Sequence, residues 1–408
     1  MNTFVHSNDE QAVTPDMIVA AREALDRPIG RAEGLTGRFY GNSFYQIERQ
    51  RLFRRTWCAV TVGSAIPLPG DIKPIDLAGW SILVLRGRDG RIRAFHNICR
   101  HRAMQLTREA CRGATRIVCP WHAWTYDLTG KLLGMPELGG AGNHGADDFD
   151  RAELGLKPIA VGQWLDYVFV NLDGNAPPFA EHIAPLQQAL SGTNLDDLRH
   201  GAHLEDAYHG NWKLATEGGI EDYHLPFGHP QLNAHLYRNT RPLWAPGVFT
   251  GGAVGVSDDS PAADSPAGAA VDAEARPWNA KLPLLTGADG RQLPYLFVFN
   301  VFPTGTILVA ADHLMLGMVL PDGPNRTRVD LHLYFEGEAA DSAAFAAARN
   351  DTVAMWKEVV KQDFPFVEGT QATLESRDAA GIRTRFSPYW EEAVLRFQQM
   401  VLTAVAKD

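Results

Sequence analysis

The stretch Cys99–His122, CRHRAMQLTREACRGATRIVCPWH, constrains this chain more than any other. It holds two Cys-His pairs, Cys99-x-His101 and Cys119-x-x-His122, with seventeen residues between them. A thiolate is a soft ligand and an imidazole a borderline one, so such a set can hold zinc or an iron–sulfur cluster. The order of the ligands separates the two. Zinc ribbons usually place two cysteines in one knuckle and two more ligands in the other. Here each knuckle gives one Cys and one His, so two cysteines can bind one iron of a [2Fe–2S] cluster and two histidines the other.

The rest of the composition sets bounds. A chain of 408 residues predicts two domains with two cores. A net charge of −10 disfavours nucleic acid or an anionic membrane as partner. Of four cysteines, two are claimed by the metal, leaving Cys58 and Cys111. A disulfide framework is not expected, and a reducing cytoplasm is. No signal-peptide pattern opens the sequence, and no run of eighteen apolar residues predicts a membrane span.

Read in order, Thr14-Pro15-Asp16 opens a helix through Ala24. Runs at Trp80–Arg86 and Ile92–Ile98 flank Arg88-Asp89-Gly90, a hairpin signal that delivers the chain to the first knuckle. Short β structure is expected over 46–165, and a helix over Phe179–Leu190. Gly140-Ala-Gly142-Asn-His-Gly145 spells GxGxxG, but a dinucleotide site needs a strand before it and a helix after it. The surroundings read as loop, so reducing power is expected from a separate protein.

A second chemical stretch is Asn211–Pro230, NWKLATEGGIEDYHLPFGHP. Glu221 and His224 are three apart and share a helical face. His224 and His229 are five apart and meet one metal only if the helix ends between them, which Pro226 and Gly228 allow. Two imidazoles with one carboxylate leave open positions on Fe(II) for oxygen. Gly251–Ala275 reads as a loop. Leu296–Val301, Thr306–Ala310 and Val329–Phe335 read as strands, and helices are expected over Ala343–Leu374 and Tyr389–Val405.

Both stretches together resemble the Rieske non-haem iron oxygenases, the ring-hydroxylating oxygenase large subunits. CxH…CPxH matches their Rieske [2Fe–2S] domain, with Cys99, His101, Cys119 and His122 as cluster ligands. Respiratory Rieske proteins carry an extra disulfide-forming cysteine in each knuckle, where this chain has Met104 and Trp121. The resemblance therefore implies a low-potential cluster. Ala103 and Ala123 stand where glycine is common. Asn211-Trp212-Lys213, Glu217, Glu221, Tyr223, His224 and His229 match the family's catalytic signature, and Gly218 departs from a usual asparagine. The family's D-x4-E-x2-Q frame falls on Asp363, Glu368 and Gln371, which implies Asp363 as third ligand of the mononuclear iron. Glu358 and Glu368 are the rivals.

The resemblance implies an α+β fold: a small all-β Rieske [2Fe–2S] domain at 46–165 and a helix-grip catalytic domain at 166–408, an antiparallel sheet with a long C-terminal helix. Residues 1–45 are expected to pack with the latter. Trp278, Tyr295, Phe297, Phe299 and Phe302 are candidate pocket residues, since strand residues two apart share a face. The implied function is a terminal oxygenase that uses O2 and electrons, drawn from NAD(P)H by a flavin/iron–sulfur reductase with or without a ferredoxin. Mono- or dioxygenation, or oxidative N-/O-dealkylation, of an aromatic or alkyl-substituted small molecule is expected. The alternatives are a quaternary-ammonium monooxygenase for a betaine, choline or carnitine, favoured by Glu rather than Asp at 221, and a non-catalytic Rieske electron carrier. In the family, the acid at Glu221 bridges to the second Rieske histidine of a neighbouring subunit in a homotrimer, which implies a His122–Glu221–His224 path.

Overall fold

Alternating runs broken by Asp-Gly and Ala-Gly turns build the smaller of two units, Trp57–Ala176. Strands β1 (Cys58–Val62), β2 (Ile72–Leu77), β3 (Trp80–Arg86), β4 (Ile92–His96), β8 (Pro158–Trp164) and β9 (Tyr167–Asn171) form an antiparallel sheet ordered β1-β9-β8-β4-β3-β2. The short strands β5 (Ile117–Val118), β6 (Thr125–Tyr126) and β7 (Leu132–Gly134) form a second. The core gathers Leu83, Phe95, Trp124, Tyr126 and Leu132 around Cys99 and Cys119. The expected hairpin joins β3 to β4. Residues 140–145 are turn and coil with no strand–helix frame, so the GxGxxG spelling has no nucleotide geometry.

This computed structural model describes residues 12–229, 232, 240–255, 281–291, 293 and 295–406. The larger unit takes the chain up to Thr56 and from Pro177 onward. The unit boundaries are therefore Trp57 and Pro177, rather than 46 and 166. Helix α2 (Asn42–Glu48) and the turn after it belong with the larger unit, while β9 is bound into the sheet of the smaller one. Helix α1 (Pro15–Leu25) starts where Thr14 accepts from the Met17 N–H. The segment after it is tied down by the Leu35 N–H on Gln398 Oε1 at 2.9 Å and the Gly37 N–H on Asp378 Oδ1 at 2.9 Å.

Seven antiparallel strands form the centre of this unit: β10 (Leu198–Tyr208), β11 (Thr240–Ala245), β12 (Phe249–Gly255), β13 (Tyr295–Val301), β14 (Gly305–Val309), β15 (Leu314–Pro321) and β16 (Thr327–Glu336), ordered β10-β16-β15-β14-β13-β12-β11. The helices are α3 (Phe179–Ala189), α4 (Trp212–Gly218), the single turn α5 (Leu225–Gly228), α6 (Ala346–Ala379) and α7 (Glu392–Ala406). The α+β expectation holds, with a 34-residue α6 continuous through Pro365.

The loop expected from Gly251 is a strand as far as Gly255; residues 256–280 lie outside the described residues. Glycine is a packing requirement there. A Cβ on Gly251 would sit 2.0 Å from the Val298 carbonyl oxygen, so its absence lets β12 approach β13. Strand β10 was invisible to an apolar-pattern reading because its sequence, LRHGAHLEDAY, is mostly polar and lies on a sheet edge.

Candidate metal centres and active site

The two Cys-His pairs occupy turns of matching design. In the first, the Cys99 N–H donates to the Met104 carbonyl and the Ala103 N–H to the Cys99 carbonyl. In the second, the Cys119 N–H donates to Trp124 and the Ala123 N–H to Cys119. Ala103 and Ala123 both sit in the left-handed region, at φ 56° and 53°, which explains why glycine suits these positions. The cysteines are buried and the His101 and His122 rings lie 4.6 Å apart at the surface side. Trp124 stacks on His101 at 4.9 Å and Trp121 on His122 at 4.7 Å. The Arg100 N–H donates to Tyr126 Oη, which leaves the phenol hydrogen for Cys99 Sγ, 3.3 Å away. Partial desolvation, then the neighbouring His122 and Arg102, lower the His101 pKa below its usual value, which favours the neutral form a metal needs. Two inward sulfurs and two outward nitrogens fit the Rieske donor set.

The second centre is built where α4 gives way to α5. Asn211 caps α4 by accepting from the Lys213 N–H at 3.0 Å and ties the cap to the Tyr40 and Pro324 carbonyls. Trp212 Nε1 donates to Glu48 Oε2 at 3.2 Å, and Lys213 Nζ meets Glu48 Oε1 at 2.7 Å, with both charged side chains fully buried. Burial raises the Glu48 pKa and lowers that of Lys213, each against the pull of its partner. The signature NWK is thus an anchor for α4 rather than part of the chemistry. Glu368 Oε1 and Gln371 Oε1 take the backbone N–H groups of His209 and Asn211, so α6 grips the same corner. Glu368 is therefore occupied away from the metal.

His224 and His229 flank the single turn α5, in which Pro226 and Gly228 fall. His224 Nε2 and His229 Nε2 lie 3.1 Å apart; Asp363 Oδ1 is 3.0 Å from the latter and 3.7 Å from the former. Cis ligands on bonds of about 2.1 Å stand roughly 3 Å apart, so one mononuclear ion fits this triangle. Each imidazole is oriented from behind. Glu221 holds His224 Nδ1 and also accepts from the backbone N–H groups of Tyr223 and His224. Glu221 lies outside the helix expected, in the irregular stretch between α4 and α5, because α4 ends at Gly218. His229 Nδ1 lies 2.9 Å from Gln362 Oε1; since that oxygen can only accept, Nδ1 carries the proton and Nε2 faces the metal.

A cavity of about 180 Å³ opens beside this triangle, between α6 and the sheet. Its walls include Tyr208, Phe297, Leu308, Met315, Leu331 and Trp356, with Gly218 at its edge. Phe297 borders it. Phe299 and Phe302 do not, and their rings pack on Phe249 and Phe397. Phe299 pairs with Ile307 and Ile307 with Leu316, on the face opposite the lining residues Val298, Leu308 and Met315; Phe297 shares the Phe299 face by period, yet it and its cross-strand partner Val309 both border the cavity. The Tyr295 side chain and Trp278 lie outside the described residues. Sequence reading missed Gln362 and Trp356. Trp356, Val359, Val360 and Asp363 all border the cavity, and their spacing of three, four and seven is the stripe one helical face requires. The Trp356 indole is fixed by donating to His313 Nε2 at 2.8 Å, while His313 Nδ1 is 2.6 Å from Asp312.

Comparison with known proteins decides the family. Residues 195–407 match the family described as ring hydroxylating alpha subunit (catalytic domain), and residues 56–144 match the Rieske [2Fe-2S] domain. The chain belongs to the ring-hydroxylating alpha-subunit family. It is 34% identical over 221 residues to the glycine betaine monooxygenase oxygenase subunit of Chromohalobacter salexigens, covering 53% of this chain and 48% of that one. It is 32% identical over 200 residues to the carnitine monooxygenase oxygenase subunit of Acinetobacter pittii, covering 47% and 51%. The matched stretch is thus about half the length of these curated relatives. Naphthalene 1,2-dioxygenase from Rhodococcus sp. shares the fold with a TM-score of 0.77 at 18% identity, covering 96% of this chain and 99% of that one. The two matched domains are those of a Rieske [2Fe–2S] cluster and a mononuclear iron, and the His224–His229–Asp363 set could hold such an ion. Among the described residues, no helix is long and apolar enough to cross a membrane.

Proposed function

We propose that this chain is the terminal oxygenase of a multicomponent system that hydroxylates an apolar aromatic or N-/O-alkyl small molecule. The observation that carries this reading is the His224–His229–Asp363 triangle opening onto an apolar cavity. When bound, the iron there supplies oxygen activation, with electrons from a separate reductase entering at the Rieske cluster. The chain's residues do the rest. Gln362 and Glu221 fix the two imidazoles, and Leu308, Met315, Leu331 and Trp356 exclude water and hold the substrate. A cavity of about 150 Å³ accommodates benzene, so 180 Å³ suits one ring or a group of similar bulk.

A second reading, a quaternary-ammonium substrate, has its own support. The cavity walls described carry Tyr208, Phe297 and Trp356 with Asp222 and Glu221, and no Lys or Arg. Aromatic faces and carboxylates favour a cation, and two of the relatives named above are glycine betaine and carnitine monooxygenase subunits. A substrate carboxylate finds no basic partner among the described wall residues, so choline-like cations fit better than betaine or carnitine. Glu221 also supports the homotrimer reading, in which His122 of one subunit hands electrons through Glu221 to His224 of the next. The test is substrate-dependent oxygen uptake with a matched reductase. Uptake and a hydroxylated or dealkylated product with an aromatic or N-/O-alkyl compound supports the first reading; uptake confined to methylated ammonium compounds selects the second. Stoichiometric cluster and iron with no uptake across the panel would leave an electron carrier.

A further inference from the structure

A second set of two histidines and a carboxylate lies on the same sheet, on the face turned away from the cavity. His203 on the edge strand β10 pairs directly with His332 on β16, and Asp330 is two residues from His332, so all three side chains project from one face. That face is not the cavity's: Leu331, between the two, borders the cavity. His203 Nε2 is 2.6 Å from Asp330 Oδ1, and His332 Nε2 is 3.0 Å from the same oxygen. His203 and His332 stack with ring centres 4.4 Å apart. Glu205 Oε1 stands 3.5 Å from His203 Nε2, within reach as a fourth donor.

Two features indicate that the cluster is built to hold something. His332 is 2% exposed and its Nε2 makes no hydrogen bond. A buried nitrogen that stands 3.0 Å from a carboxylate oxygen yet makes no hydrogen bond to it is costly, and a cation bound by both would satisfy it. Its other nitrogen, Nδ1, is held 3.0 Å from His200 Nε2, an outer contact of the kind that fixes metal-binding tautomers. That contact depends on a bulge. The register shifts between His200 and Ala202, bringing His200 opposite Tyr334 and onto the His332 face. Gly201 permits it, because a Cβ there would lie 2.7 Å from both the Ala340 carbonyl oxygen and the Phe335 ring.

We propose that His203, His332 and Asp330, with Glu205 or water as fourth donor, form a second cation site that takes a borderline divalent ion of the zinc class. Two imidazoles and a carboxylate suit Zn2+. The site clips the edge strand β10 to β16, whose cavity-facing residues Val329 and Leu331 line the active site. His203 is 37% exposed, which gives the ion a route in. The same donors occur in the iron triangle, so a metal count must tell the two apart.

The experiment uses iron-loaded holoprotein freed of adventitious metal by a weak chelator, then titrated with Zn2+ alone. One equivalent should bind while iron and cluster contents stay unchanged. His203→Ala and Asp330→Asn should each weaken that equivalent by at least about tenfold, the loss that even an outer partner can cause, and leave iron and cluster untouched. If Asp330→Asn does not fold, His203→Ala, at the exposed edge, decides. No zinc equivalent in the wild type would overturn the proposal and leave a network held by protons alone. So would an equivalent that persists in the variants, or one that binds only by displacing iron.

Discussion

Gln362 offers the sharpest test of how the iron site is held. Its Oε1 accepts from His229 Nδ1 at 2.9 Å, across 133 residues of sequence, and His229 is 1% exposed. Gln362→Leu keeps a helix-forming side chain of similar size and removes the acceptor. The magnitude can be reached in two ways. A buried N–H left without a partner costs about 1–3 kcal/mol. Loss of an outer partner to a metal-bound imidazole lowers metal affinity about 10–100-fold, which is about 1.4–2.7 kcal/mol. The estimates agree because they describe one event, the loss of the contact that fixes the Nε2-facing tautomer. The assay is iron retained against a graded chelator, with the cluster spectrum as internal control. Gln362→Leu should release mononuclear iron at roughly 10–100-fold lower chelator activity, while Gln362→Glu, whose carboxylate accepts more strongly, should hold iron at least as well as wild type. Iron retention unchanged in Gln362→Leu, or equal loss of cluster and mononuclear iron, would refute the reasoning.

Other outcomes follow from the same geometry. Asp363→Ala should empty the mononuclear site and abolish turnover with the cluster intact, and Glu368→Ala, whose carboxylate faces the His209 backbone, should keep its iron; metal analysis of both variants checks this. Glu221→Gln should retain iron yet lose product formation if the intersubunit path is correct, and rapid single-turnover transfer from cluster to iron in that variant would defeat it. Tyr126→Phe removes a hydrogen bond to Cys99 Sγ and should lower the cluster's reduction potential, measurable by redox titration. Burial pushes the Glu217 carboxyl up to about 7 against hydrogen bonds from Gln398 and Tyr40. With the folded value above the ordinary 4.5, its contribution to stability is fully present below about pH 4.5 and lost as pH rises through about 7. The total is on the order of 3 kcal/mol. Glu217→Gln should flatten that decline in denaturation curves between pH 5 and 8, and parallel curves for the two proteins would show that the carboxyl is not protonated there.

The candidate metal-binding turns were legible because their chemistry is local. Cys99-x-His101 and Cys119-x-x-His122 state their donors within a few residues, and Pro226 and Gly228 announce the break that lets His224 and His229 converge. Asp363 was legible only through the resemblance, since nothing near it distinguishes it from Glu358 or Glu368. What escaped was set by register. Phe297 and Phe299 share a face by period, yet only the first borders the cavity, and that depends on where each lies along β13 beside β14 and β15. The alternation of Asp330 and His332 is equally mute without β10 alongside it.

The placement of Asp363 shows how the fold turns distant sequence into a site. The imidazoles flank the single turn α5 that follows α4, and the carboxylate comes from the middle of a 34-residue helix. Two side chains just beyond Asp363 on α6, Glu368 and Gln371, bind the backbone at His209 and Asn211, immediately before α4. Asn211, Trp212 and Lys213 then lock α4 to Tyr40 and Glu48. The triangle is therefore closed by contacts that lie outside it, on either side of the metal ligands. This explains why residues with no role in the reaction accompany the ligands in both signatures: without them, the two helices are free to slide, and a site whose donors must stand roughly 3 Å apart does not survive a shift of one ångström.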